Sequence, residues 1–232
     1  MPQWRDARAR MTAGYSAAQI RAAEAPLIAA GVPLMQRAAA GLAGVIGELL
    51  ESRPGAILVL AGSGDNGADA LYAAATLGGA GAEVRIVRTG SRIHEAAFSA
   101  ATDAGGVLVD IAVAAVVARA SAIVVDGVLG TGTSADPSLR GDARSVVEAL
   151  LPVVTADDAP IVVAVDIPSG IDPTDGRVPD AVVLPAAVTV TFGAVKAGLL
   201  LEPAASLAGE VRLIDIGLAP ALAGVDPVVV LP

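Results

Sequence analysis

The chain has 232 residues, a formal net charge of −9, and 54% apolar residues of which few are aromatic. That suits one α/β domain of ordinary size with a core of Ala, Val, Leu and Ile. With no cysteine and a single histidine, His94, disulfides, thiolate nucleophiles, zinc-thiolate sites and multi-histidine metal sites are excluded. The acidic balance argues against a nucleic-acid partner, which needs a basic footprint. No apolar run reaches transmembrane length uninterrupted by Gly, Pro or charge, and the N-terminus lacks the apolar stretch of a signal peptide, so we expect a cytoplasmic protein with no membrane partner.

Residues Met1 to Thr12 are polar and are expected to fray. Ser16-Ala17-Ala18-Gln19 forms a capping box that opens an Ala-rich helix, stopped by Gly31-Val32-Pro33. A second helix is expected over about Leu34 to Glu51, with small residues on several faces. At Ala56 to Ala61 the texture changes to a short continuous apolar run ending in glycine, the mark of a buried parallel strand. Similar runs recur at Glu83 to Val87, Ala122 to Val125, Ile161 to Val165, Val188 to Phe192 and Val211 to Ile214, with helical stretches between most of them. Such alternation builds an open parallel sheet covered by helices. The expected organisation is a single domain over 1–232: an N-terminal helical segment at 1–52, then the sheet at 53–232. The last two strands are expected to connect without a full helix.

Ligands of such sheets bind beyond the carboxyl ends of the strands, where loops and helix N-termini converge. Gly62, Gly64 and Gly67 have the G-x-G-x-x-G spacing directly after a strand, and Arg88 ends the next strand where NADP-binding folds accept a 2′-phosphate. Against simple pyrophosphate binding stand Asp65 and Asp69, so this loop suits ribose hydroxyls or a cation better. The Gly and Thr residues after Asp126 form a candidate anion nest. Asp166, beside apolar Val165 and Ile167, is a candidate for a raised pKa and for proton transfer, and Ser169 is expected to aim its hydroxyl toward the sheet edge. Asn66 and Lys196 are the only asparagine and the only lysine in a chain where Arg serves every other basic position. An amide oxygen and a compact ammonium are properties that Arg does not supply.

Four motifs in order now carry a resemblance. The stretches Gly62 to Ala70, Asp126 to Gly132, Val165 to Gly170 and Thr191 to Gly198 match the G-x-G-N-N-G-G-D-G, D-x-x-x-G-T-G, V-D-I-P-S-G and T-F-G-x-x-K-x-G patterns of the NAD(P)H-hydrate epimerases. That family is the YjeF N-terminal domain of the nicotinamide-nucleotide repair enzymes, and the chain resembles it from Tyr15 to Gly217. The resemblance implies a Rossmann-like three-layer α/β/α sandwich with a mostly parallel sheet and N-terminal helices. It implies an isomerase that interconverts the R and S forms of hydrated NADH or NADPH. It further implies substrate binding by Asp65, Asn66, Gly67, Ala68 and Asp69, by Gly130, Thr131, Gly132, Thr133, Ser134, Ala135 and Asp136, and by Asp166. A potassium ion (K+) is implied on Asn66, Asp126 and Ser169, a set of amide, carboxylate and hydroxyl oxygens suited to a hard cation. Asp166 and Lys196 are the expected catalytic residues, and a homodimer is expected.

Asp65 departs from the family pattern by replacing an asparagine, and Ala68 and Ala70 each replace a glycine; Ala68 would crowd the backbone if that position needs positive φ. The resemblance also implies a partner: in many bacterial members of the family this domain is followed by an ADP- or ATP-dependent hydrate dehydratase, which is expected here either fused or separate. Two rival readings are a catalytically silent nucleotide-binding domain that supports such a dehydratase and an NAD(P)-dependent oxidoreductase. The oxidoreductase leaves Asp126, Ser169 and Lys196 without a role.

Overall fold

The computed structural model describes residues 4–6, 12–132 and 136–231. The sheet grows from the expected apolar runs: β3 (Ala56–Ala61), β4 (Val84–Arg88), β6 (Ser121–Gly127), β7 (Ile161–Val165), β8 (Val188–Phe192) and β10 (Glu210–Ile214). With the two-residue β5 (Val107–Leu108) they make seven parallel strands, and the antiparallel β1 (Trp4–Asp6) pairs with β10 at one edge, giving the order β1-β10-β8-β7-β6-β3-β4-β5. The expectation that the first twelve residues fray is therefore corrected for 4–6, whose backbone joins the sheet. Thr12 opens another strand, β2 (Thr12–Tyr15), which pairs with β9 (Val195–Lys196) and β11 (Val229–Leu231) in a second, three-stranded sheet.

Side chains alternate across β3, and each face seeds its own core. Ile57, Val59 and Ala61 join the cluster formed with α1 (Ala17–Ala29), α2 (Leu34–Ser52), α3 (Asp65–Gly79) and α4 (Glu95–Asp103). Leu58 and Leu60 point the other way, onto α5 (Ala114–Arg119) and α6 (Gly141–Val154). Three layers follow, an α/β/α sandwich with a mostly parallel sheet. The last two main strands connect as expected without a long helix: β8 leads through β9, a 3-10 turn at Ala197–Leu200 and the four-residue α7 (Ala205–Ala208) to β10. A four-residue α8 (Ala219–Leu222) then precedes β11.

The α1 start is the expected capping box: the Ser16 hydroxyl accepts from the Gln19 N–H at 3.2 Å, and the Gln19 side chain accepts from the Ser16 N–H at 2.9 Å. α2 comes close to β10 at Gly41, where a Cβ would lie 2.4 Å from Ile214. Only hydrogen fits there, so the small residues of the N-terminal helices serve packing on the sheet face. Among the described residues no single helix is long and apolar enough to cross a membrane; α1 and α2 turn on each other by 115°. That corner roofs the carboxyl end of the sheet.

Candidate active site

Beneath the corner of α1 and α2 lies a cavity of about 370 Å³, within the range of small-molecule sites. Asp65, Asn66, Asp69, Asp166 and Lys196 give it polar groups, while Ile20, Leu34, Met35 and Phe192 belong to its apolar lining. The four sequence motifs meet here because each follows the carboxyl end of a strand.

Asp166 follows β7 at φ 68°, the only non-glycine residue with positive φ among the described residues. Its Oδ1 accepts from the Lys196 Nζ, from the Thr191 hydroxyl at 3.1 Å and from the Phe192 N–H at 3.3 Å. Lys196 is only 2% exposed and also donates to the Phe192 carbonyl at 3.0 Å. The lysine sits in β9, whose pairing with β2 holds it inward. Asp166 is buried as expected, yet its surroundings are not apolar: an ammonium, a hydroxyl and an amide converge on it. Removing one partner of such a buried pair costs about 3–5 kcal/mol, because the other charge is stranded.

Burial also acts on Asp69, on the second turn of α3. Its carboxyl is pushed up to about 8, first by burial and then by the charges of Asp166 and Asp65, with Lys196 opposing. Its Oδ1 has no hydrogen-bond partner among the described residues. Glu24, on α1, also lines the cavity, and its carboxyl is raised, first by burial, with the Lys196 charge opposing. Sequence reasoning missed Glu24 as a site residue. The available signal was its place four residues after the buried Ile20, on the same helix face.

Beside the ion pair is a cluster of oxygens. The Ser169 hydroxyl donates to Asp126 Oδ1 at 2.6 Å and lies 3.2 Å from the Leu129 carbonyl, and the Ser169 N–H donates to Asp126 Oδ2 at 2.9 Å. Burial raises the Asp126 carboxyl, with those Ser169 donors and the Val128 N–H opposing. No cationic side chain pairs with it among the described residues. Asn66 reaches the same cluster from the first turn of α3, where its Nδ2 donates to the carbonyls of Val165 and, at 3.3 Å, Leu129. Gly130 makes room for that amide: a Cβ there would lie 2.1 Å from Asn66 Oδ1.

The other expected binding residues divide. Asp65 and Thr131 line the cavity, and Arg21 of α1 ties the loop in place through the Thr131 carbonyl at 2.9 Å. Gly130 and Gly132 flank Thr131 in the same loop. Gly67 and Ala68 are buried inside the start of α3, and Ala68 is helical without positive φ, so its methyl group brings no backbone strain. Asp136 is exposed and does not line the cavity; the Ser138 N–H and Arg140 donate to its carboxylate. Those partners, Ser138 first, lower its carboxyl to about 2. Thr133, Ser134 and Ala135 lie outside the described residues. Arg88 stands at the end of β4 beside the glycine loop, as expected; its Nε is buried with no partner among the described residues.

A family model described as YjeF-related protein N-terminus matches residues 31–198. The chain is 56% identical over 221 residues to a protein of Clavibacter michiganensis subsp. michiganensis named NAD(P)H-hydrate epimerase, covering 93% of this chain and 94% of that one. It is 43% identical over 215 residues to the bifunctional NAD(P)H-hydrate repair enzyme Nnr of Mycobacterium tuberculosis, where the match covers 88% of this chain but 41% of the longer protein. The crystal structure of yeast ynu0 superposes with a TM-score of 0.67 over 80% of this chain and 82% of that one, at 18% identity. At that identity the superposition speaks for the fold alone. With its four motifs gathered around one cavity and most of its length matched, the chain belongs to the family of YjeF-related protein N-termini.

Proposed function

We propose that the protein is an isomerase interconverting the R and S epimers of hydrated NADH and NADPH. The observation that carries this reading is the buried Asp166–Lys196 pair beside the cavity, in a chain so similar to proteins named NAD(P)H-hydrate epimerase. Epimerisation at a carbon bearing nitrogen and hydroxyl requires a proton to leave one group and reach another while a bond to that carbon breaks and re-forms. Asp166, held by Lys196, would accept such a proton. The apolar wall of Ile20, Leu34, Met35 and Phe192 would shield the hydrated nicotinamide ring from bulk water, which strengthens every charge interaction in the cavity. Asp65, Asn66 and the Gly130 to Gly132 loop are the residues for the rest of the substrate, and Asp69 lines the same cavity near the ring.

The residues present fit a potassium ion. A buried carboxylate without a cationic partner, a hydroxyl, a main-chain carbonyl and an amide lie together, and one positive charge would balance Asp126. Asn66, Asp126 and Ser169 would hold it, Asn66 after turning its amide so that Oδ1 replaces Nδ2. Bound there, the ion would supply fixed positive charge and tie the loop after β6 to the start of α3.

The same proposal includes a homodimer in the cytoplasm and a hydrate dehydratase, fused or separate, as functional partner. A mycobacterial relative named as a bifunctional repair enzyme supports the partner. The test uses the purified full chain with one epimer of hydrated NADH or NADPH, followed by chromatographic separation of the epimers. Interconversion that is faster with potassium than with sodium, from a particle with the mass of two chains in light scattering, is expected. Binding without interconversion would return the silent-domain reading, and equal rates in both salts would remove the ion.

A further inference from the structure

The ion pair leaves the reaction one group short. Asp166, whose Oδ1 accepts three donors, is the proton acceptor of the proposed reaction. Breaking a carbon–oxygen bond also needs a group that gives one. The cavity gathers four carboxyl groups, Glu24, Asp65, Asp69 and Asp166, around one ammonium, Lys196, which Asp166 and the Phe192 carbonyl already occupy. Arg21, exposed on α1 beside the cavity, donates to the Thr131 carbonyl. Carboxyl groups in excess of cations at a buried site cannot all ionise. Asp65 is exposed and Glu24 half-buried, whereas Asp69 is 6% exposed with an Oδ1 that has no partner among the described residues.

We propose that Asp69 is a neutral carboxylic acid in the resting protein and the proton donor of the epimerisation, working opposite Asp166 as proton acceptor. This rests on the epimerase reading. Burial together with Asp166, Asp65 and Glu24, against the single opposing charge of Lys196, keeps the proton on Asp69 up to about pH 8.

In the step this implies, the Asp69 proton passes to the hydroxyl of the hydrated carbon. The carbon–oxygen bond breaks with its electron pair, water departs, and the lone pair of the ring nitrogen forms a carbon–nitrogen double bond. The water adds back to the opposite face, a new carbon–oxygen bond forms, and the proton it sheds goes to Asp166. The substrate gains and loses nothing, and one proton has moved from Asp69 to Asp166. The reverse reaction runs with the two carboxyl groups exchanged, as an enzyme acting on both epimers requires.

The test compares wild type, Asp69→Asn and Glu24→Gln at saturating potassium. Asp69→Asn is expected to keep its affinity for ADP-ribose and to lose roughly 10²- to 10⁴-fold in epimerisation rate, the usual worth of a positioned acid. The wild-type rate should fall on the alkaline side near pH 8, and the residual rate of Asp69→Asn should lack that fall. Infrared difference spectra at neutral pH should contain one carboxylic-acid C=O band that Asp69→Asn removes. A merely structural role moves neither the pH profile nor that band. An Asp69→Asn rate within threefold of wild type, an unchanged alkaline limb or no acid band overturns the proposal, as does a loss found only in Glu24→Gln. A wild type without epimerase activity overturns the epimerase reading instead, and the infrared band from the same sample tells that failure from a misassigned proton.

Discussion

Asp166 joins two constraints in one residue, a left-handed backbone at φ 68° and a buried ion pair with Lys196. The left-handed region costs most side chains on the order of 1–2 kcal/mol, and Asp and Asn least. Asp166→Asn therefore keeps the backbone and the polar volume while removing the charge and the ability to take a proton. We expect it to bind ADP-ribose and to lose roughly 10²- to 10⁴-fold in epimerisation. Without a carboxylate, Lys196 is stranded in a dry site, so the variant should also melt earlier than wild type. Wild-type turnover in this variant would remove Asp166 from proton transfer. Lys196→Arg keeps the charge, but the fork of a guanidinium does not fit where an ammonium is 2% exposed and held by one carboxylate and one carbonyl. It should lose ligand affinity despite its charge, as measured by calorimetry with ADP-ribose.

The loop after β6 works through contact with α3. A methyl group on Gly130 would lie 2.1 Å from Asn66 Oδ1, whereas one on Gly132 meets nothing within 4 Å. Gly130→Ala should therefore push Asn66 off the carbonyls of Leu129 and Val165 and abolish any potassium response, while Gly132→Ala leaves the potassium response intact. An intact potassium response in folded Gly130→Ala would refute the shared site. This loop, like the central strands, was legible in the sequence. β3, β7 and β8 begin and end where the continuous apolar runs do, because both faces of a parallel strand are covered. The strands not foreseen, β1, β2, β5, β9 and β11, are two to four residues long. Their pairing comes from distant partners: β2 finds β9 and β11 near the far end of the chain. The site divides in the same way. Asp166, Lys196, Asn66 and Ser169 sit in local motifs, but Glu24 enters only because α1 folds over the sheet, and the proton on Asp69 depends on charges from three other segments as well as on Asp65 of its own helix.

At the scale of the whole molecule, that proton links the site to global stability. The Asp69 carboxyl rises from its ordinary 3.8 to about 8 in the folded protein, with burial the largest cause. Between those values the native state holds a proton that the unfolded chain has released. Stability from this group is complete below the lower value and is lost as pH rises through the upper one. Across that window the loss is about 1.4 kcal/mol per pH unit. Glu24, raised in the same direction, adds to the fall. Exposed ion pairs such as Arg177–Asp175 contribute little to offset it, because water screens them. The protein should thus lose resistance to urea from mildly acidic to alkaline pH, and Asp69→Asn, which has no proton to lose, should flatten that slope and be the more stable of the two at alkaline pH. Urea midpoints for both proteins across the range check this. Parallel slopes would mean that Asp69 is ionised in the native state, with Lys196 or a bound cation neutralising it. The cavity would then have been built to bind charge and not to move a proton.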